Sequence, residues 1–233
     1  MSAMSAFSAW LTRESRQQRS VREPYPRSPL AGRTGAACKA LLTAAVFAAG
    51  AYALPAAPEP TTVYRLTPWP AGAQSPQFTL QEANGKRRTL TDYHGRVVVI
   101  FFGFLRCPDA CPTELYKLAR VVHALGAVNK PPQILFITLD PQRDTPTQLS
   151  SYVHSFDPGF IALTGTPAQI QRATDSFGVQ FARVVQGRDY TIDHSTATYI
   201  FDARGRLRLV GALNSSEADV LHDLKALLAE QTP

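Results

Sequence analysis

Two long, predominantly apolar runs stand out along the chain. Residues 97–103 read VVVIFFG, and residues 134–140 read ILFITLD. Continuous β-branched and aromatic stretches of this length predict strands buried on both faces. Between them the period changes. From Thr113, Leu115, Leu118, Val122 and Leu125 recur at spacings of three and four, the stripe of a helix with one buried face. Similar patterns predict helices over 146–156, with Leu149, Val153 and Phe156 inward, and over 217–230, with Val220, Leu221, Leu224, Leu227 and Leu228 inward. Residues 167–177 predict another helix, and FIALTG before them a short strand. TATYIFD (196–202) and RLRLVGAL (206–213) predict two strands turning at Arg204-Gly205. Ahead of all these, FTLQEA and KRRTL within 77–93 predict a hairpin, with Asn84-Gly85 suited to a type I′ turn.

The order is strand–helix–strand–helix, then strand–strand–helix. A parallel βαβ unit followed by an antiparallel pair and a closing helix is the α/β thioredoxin-like plan, here with a β-hairpin extension at its amino end. This domain is expected to span 76–233.

The polarity pattern differs upstream. Residues 40–54, ALLTAAVFAAGAYAL, are 15 positions without a charge. As a helix they reach ~22 Å at 1.5 Å per residue, short of a ~30 Å hydrocarbon core. Adding Gly35 to Cys38, with Lys39 snorkelling, closes the gap. The segment reads as an uncleaved membrane anchor or as a signal peptide with an Ala51-Tyr52-Ala53 cleavage site, and the long leader favours the anchor. Residues 55–75 carry Pro55, Pro58, Pro60, Pro68 and Pro70 and read mainly as a spacer.

Charge matters here only through its location. The formal net charge is +6. The leader, residues 1–39, holds seven basic residues against Glu14 and Glu23, leaving 17 basic and 16 acidic residues beyond it. A nearly neutral body behind a basic leader indicates targeting and argues against a nucleic-acid partner. The expected location is a bacterial inner membrane with the domain in the periplasm. The Arg- and Ser-rich leader also suits a mitochondrial presequence, which would place the domain in the intermembrane space.

Of three cysteines, Cys38 lies in the leader, and Cys107 and Cys111 follow the first buried strand. Such a pair can be a plain structural disulfide. However, the loop it would close is very short, and it sits beyond the carboxyl end of a strand, where open α/β sheets place ligands. On helical backbone the i, i+4 spacing puts both sulfurs on one side. A helix N-terminus and Arg106 both favour thiolate. His94, His123, His154 and His222 fit solvated positions. His194 precedes the strand at 196; if that strand runs antiparallel to VVVIFFG, His194 reaches the cysteines' edge. Two thiolates and one imidazole suit three-coordinate Cu(I) better than zinc, which prefers four ligands. Asp140, after the second buried strand, and Asp193, beside His194, are candidates for tuning or orienting that site. Asp144 or Thr145 can cap the helix begun by Pro146.

These residues resemble the Sco/SenC family. FFGFLRCPDACPTEL is similar to its CPxxCPT segment, TLDPQRDTP to its DPxRDTP segment, and YTIDHSTATYIFDARG to its D-H-S/T strand, in the family's order. The resemblance implies a thioredoxin-like fold and a copper site formed by Cys107, Cys111 and His194. It implies a metallochaperone that delivers copper to, or reduces the cysteines of, the binuclear copper centre of cytochrome c oxidase. Its partners would be the copper-centre subunit of that oxidase and other copper chaperones or thiol reductants. Two departures are visible. Leu105-Arg106 replaces a Thr-His-like pair, and the stretch from Val179 to Tyr190 is short, implying a trimmed docking loop.

Three rival functions use the same residues. A thiol–disulfide oxidoreductase would use Cys107 and Cys111 as a redox pair, although C-x-x-x-C is not C-x-x-C. A peroxidase is suggested by Cys111-Pro112-Thr113-Glu114, but Pro108 stands where a peroxide-activating threonine is needed. A copper or redox sensor would use the metal only as a signal.

Overall fold

The computed structural model describes residues 62–230. Cys38, the leader and the 40–54 segment lie outside these residues. Among the described residues, no helix is long and apolar enough to cross a membrane.

The elements are β1 (Thr67–Pro68), β2 (Thr79–Glu82), β3 (Arg87–Thr89), a 3-10 turn (Leu90–Tyr93), β4 (Val98–Gly103), α1 (Ala110–Ala124), β5 (Gln133–Thr138), α2 (Pro146–His154), β6 (Ile161–Thr164), α3 (Pro167–Phe177), β7 (Phe181–Gln186), β8 (Asp189–His194), β9 (Ala197–Phe201), β10 (Leu207–Ala212) and α4 (Glu217–Ala229). Eight strands form one sheet in the order β1-β10-β9-β4-β5-β6-β2-β3, and β7 and β8 form a separate pair. β4, β5 and β6 are parallel; β9 runs antiparallel to β4, with Thr198 opposite Phe101. The expected βαβ unit, antiparallel pair and closing helix are therefore present.

The sheet is covered on both faces, which is why β4 and β5 are buried at every position. Val97, Val99 and Phe101 pack with Leu115 and Leu118 of α1, Leu149 and Val153 of α2, and Leu224 of α4. Val98, Ile100 and Phe102 point the other way, into Ile170, Ala173 and Phe177 of α3 and into Leu90 and Tyr93. α2 and α3 start alike. Thr145-Pro146 and Thr166-Pro167 each form a capping box, with Gln148 and Gln169 at the third helical position.

Three local expectations change. The β2–β3 turn is not type I′, since only Gly85 is left-handed, at φ 80°. Gly85 N–H donates to Glu82 O at 2.9 Å and Glu82 N–H to Lys86 O at 3.0 Å, so three residues form the loop. Leu80 sets this register, because it must face the core opposite Arg88. The folded body also begins before residue 76: Leu66 is buried, and the Asp223 carboxylate accepts the Arg65 and Leu66 N–H groups. Finally, the short stretch ahead of Tyr190 is no loop but the β7–β8 hairpin. Its two-residue tip is Gly187-Arg188, with Gly187 at φ 63°.

Candidate metal centre

β4 delivers the chain to the site. Its last residue, Gly103, leaves the space that the Cys111 sulfur occupies; a Cβ there would stand 2.7 Å from Cys111 Sγ and 2.7 Å from a Phe136 ring carbon. The chain then turns, with Cys107 N–H donating to Phe104 O at 3.2 Å. α1 starts at Ala110, so only Cys111 is helical, and Cys107 lies before the helix rather than one turn along it. Asp109 occupies the N-cap position but makes no capping bond through its side chain. The Cys107 sulfur does that work instead, accepting the Cys111 N–H at 3.4 Å.

Both cysteines are free thiols, Cys107 half-buried and Cys111 fully buried. Their environments push them apart. Cys107 is lowered from 9.0 to about 5, first by the hydrogen bond from the Cys111 thiol, against desolvation, then by backbone N–H groups of Cys111 and Asp109 and by the field of His194. Cys111 is pushed well up by the same sulfur–sulfur bond and by burial. The pair therefore holds one proton across the neutral range. Arg106 is not part of this balance: its guanidinium turns away to Asp189, at 2.8 Å.

His194 ends β8 at the edge where β4 releases Cys107. Its ring stands edge-on to Phe104, centroids 6.0 Å apart. Its Nδ1 faces the Ser195 carbonyl at 2.9 Å. A protonated Nδ1 donating there leaves Nε2 with a free lone pair, the usual arrangement of a ligating imidazole. The cysteines are thus in contact and His194 is near enough to act on Cys107. Still, among the described residues no three His, Cys, Asp or Glu groups are gathered tightly enough to enclose an ion.

The two acidic candidates differ from expectation. Asp193 is exposed on β8, paired in register with Ala182. Asp140 is fully buried but faces the hairpin, where Tyr190 Oη donates to its Oδ1 at 2.8 Å and Arg143 Nε pairs with its Oδ2. The acid that reaches the cysteine loop is Asp144. Its Oδ2 accepts the Thr138 hydroxyl at 2.6 Å and the Leu105 N–H at 3.1 Å, and burial raises its pKa. Thr145, not Asp144, caps α2. Glu114 was also missed. It is 1% exposed, one turn beyond Cys111, and bonded to Thr198.

Known proteins resemble this chain in sequence and in fold. The SCO1/SenC family model matches residues 69–229. The SCO2-like protein of Rickettsia felis is 40% identical over 151 residues, covering 64% of this chain and 74% of that protein. The structure of Bradyrhizobium japonicum ScoI with copper bound aligns with TM-score 0.61 and 36% identity, over 66% of this chain and 99% of that one. Arabidopsis thaliana ScoI with copper bound gives TM-score 0.64 and 30% identity, over 68% and 99%.

Proposed function

Because the chain belongs to the SCO1/SenC family, we propose that it binds copper as cargo through Cys107, Cys111 and His194, for assembly of the binuclear copper centre of cytochrome c oxidase. The observation that carries this reading is the reduced, hydrogen-bonded Cys107–Cys111 pair beside an imidazole whose Nδ1 faces the Ser195 carbonyl. A Cys107 sulfur biased toward thiolate, a second sulfur that can lose its proton to a metal, and one imidazole nitrogen make a soft, three-ligand donor set suited to Cu(I). A half-buried Cys107 leaves room for a partner's thiolate to approach, so the ion can pass by ligand exchange without release to water. Relatives crystallised with copper support copper as the ion. In this reading residues 40–54 tether the domain to the bacterial inner membrane, on its periplasmic side.

A second reading is favoured by the asymmetry of the pair. A low-pKa, accessible Cys107 and a buried, protonated Cys111 are the attacking and resolving thiols of a dithiol reductant. Cys107 thiolate would attack a partner disulfide. Cys111 would then displace the reduced partner, leaving a Cys107–Cys111 disulfide and two electrons on the target.

Copper stoichiometry of the reduced protein separates the two, measured beside Cys107→Ser, Cys111→Ser and His194→Ala. One copper per chain, weakened in all three variants, is expected. A reduced wild-type protein that takes up no copper yet cycles with a partner disulfide would replace delivery by reduction.

A further inference from the structure

We infer that Arg143 is a positioning residue: the loop from Asp140 to Asp144 is the frame that sets His194 against the two cysteines, and Arg143 is its clamp on the histidine side. The inference rests on the copper reading for its consequence, but the clamp itself is a property of the metal-free fold.

The β7–β8 hairpin pairs only within itself and shares no ladder with the main sheet. Ile192, Phe181 and Tyr190 give it apolar packing and His194 stands against Phe104, but most of its polar grip on the domain comes from side chains that converge on one short loop. Arg143 Nη1 donates to Asp189 Oδ1 at 2.7 Å and to the Tyr190 carbonyl at 2.7 Å. Its guanidinium carbon lies 3.5 Å from the Tyr190 ring centroid, a stacked contact that only a planar cation makes well. The Tyr190 hydroxyl bonds Asp140, and Arg183 Nη2 reaches Gln142 Oε1 at 2.8 Å. Arg143 also neutralises Asp140, a carboxylate with no exposure at all.

The other end of the same loop holds the cysteine side. Asp144 accepts the Leu105 N–H, two residues before Cys107, and the loop is closed on itself by the Arg143 and Asp144 N–H groups, both donating to Asp140 O. Five consecutive residues thus bond both halves of the site, in opposite directions. Tyr190 and His194 lie four residues apart on one strand and so share a face. Holding Tyr190 fixes the strand that presents His194. A second link, Arg106 to Asp189, is more than half exposed at both ends and contributes less.

The test uses Arg143→Lys, which keeps the charge beside Asp140 but loses the fork and the plane, with Tyr190→Phe as a milder second variant. In the reduced, metal-free protein, hydrogen exchange of the β7–β8 amides should quicken about tenfold in Arg143→Lys while α1, β4 and β5 keep their wild-type rates. Titrated with copper alone, that variant should still bind one ion through Cys107 and Cys111. Its affinity should fall about tenfold, as is usual when the partner orienting a ligand is removed, with a thiolate-to-copper absorption band shifted toward that of His194→Ala. Tyr190→Phe should fall between. Unchanged hairpin exchange, or a rise spread evenly over every element, would overturn the clamp. Faster exchange confined to the hairpin with an unaltered copper band would overturn its role in placing His194. A wild-type protein that takes up no copper would instead sink the copper reading, and the exchange data would still decide the clamp.

Discussion

Glu114 Oε1 accepts the Thr198 hydroxyl at 2.9 Å, joining the helix that carries Cys111 to the strand that follows His194. Glu114 Oε2 lies 2.7 Å from Lys117 Nζ, an ionic contact, and the ammonium also donates to the carbonyls of Leu213 and Ser215. A buried carboxylate therefore ties α1, β9 and the β10–α4 turn at one point.

Glu114→Ala leaves Lys117 with only carbonyl partners and Thr198 with none. Breaking a buried ion pair from one side costs about 3–5 kcal/mol. For a folded body of this size that is a fall in melting temperature of about 6–20 °C. Glu114→Gln keeps an acceptor for Thr198 and should lose less. Thermal denaturation of the reduced, metal-free protein measures both, and an alanine variant as stable as wild type would show that the tie contributes nothing.

The parts of this structure that were legible in the sequence are those decided locally or by burial on both faces. VVVIFFG is read as a buried strand because its six consecutive β-branched and aromatic residues before a glycine leave no polar face for solvent. The turn at Gly205 decides only that β9 and β10 pair; the antiparallel placement of β9 beside β4 stood as a condition in the sequence, and the structure meets it. The β7–β8 hairpin escaped because its pattern carries little information: β7 runs Phe-Ala-Arg-Val-Val-Gln, exposed at nearly every position, and only Ile192 of β8 is buried. Asp140 and Asp144 could be seen as candidates, but which acid faces the cysteines depends on partners 39 and 50 residues away, Leu105 and Tyr190. Leu66 was hidden by the prolines around it, which suit a spacer as well as a short edge strand.

Asp144 offers a sharper case. One oxygen, Oδ2, receives both Thr138 Oγ1 and Leu105 N. Asparagine can place its carbonyl oxygen there and avoid burying a charge. A raised carboxyl pKa means the protonated form suits the fold, so its stabilisation is present at low pH and lost as pH rises through the folded value. At pH 7, Asp144→Asn should match or exceed wild-type stability, whereas Asp144→Ala, orphaning both donors, should lose about 1–3 kcal/mol. Urea denaturation of the two variants checks this; equal losses would mean that the charge, not the acceptor, is what the loop requires.

Gly103→Ala tests the packing beneath the pair. The added methyl would meet Cys111 Sγ and the Phe136 ring at 2.7 Å each, distances that force one of them to move. Phe136 is fully buried in the core and yields least, so the sulfur should shift. Overpacking of this kind costs about 1–3 kcal/mol. The expected signature is a slower Cys107–Cys111 disulfide formation under a fixed oxidant, beside the lower stability. Wild-type oxidation kinetics in this variant would place the strain elsewhere.

The ionisation of Cys107 has a direct consequence for stability. Its folded value, about 5, lies below its ordinary 9.0, so the folded state holds the thiolate where the unfolded chain holds the thiol. The thiolate's contribution is complete above the unfolded value, shrinks as pH falls, and is gone below about 5. Cys111 is raised and stays protonated, so it adds nothing in that window and opposes the fold only above the ordinary thiol range. In reduced, metal-free protein, the stability difference between wild type and Cys107→Ser should therefore widen steadily from about pH 5 to about pH 8, by urea midpoint. Thiolate absorbance over the same range should report one ionised sulfur per chain, not two. A difference that stays flat with pH, or two thiols titrating together near 9, would mean that the hydrogen bond from Cys111 does not hold the Cys107 charge.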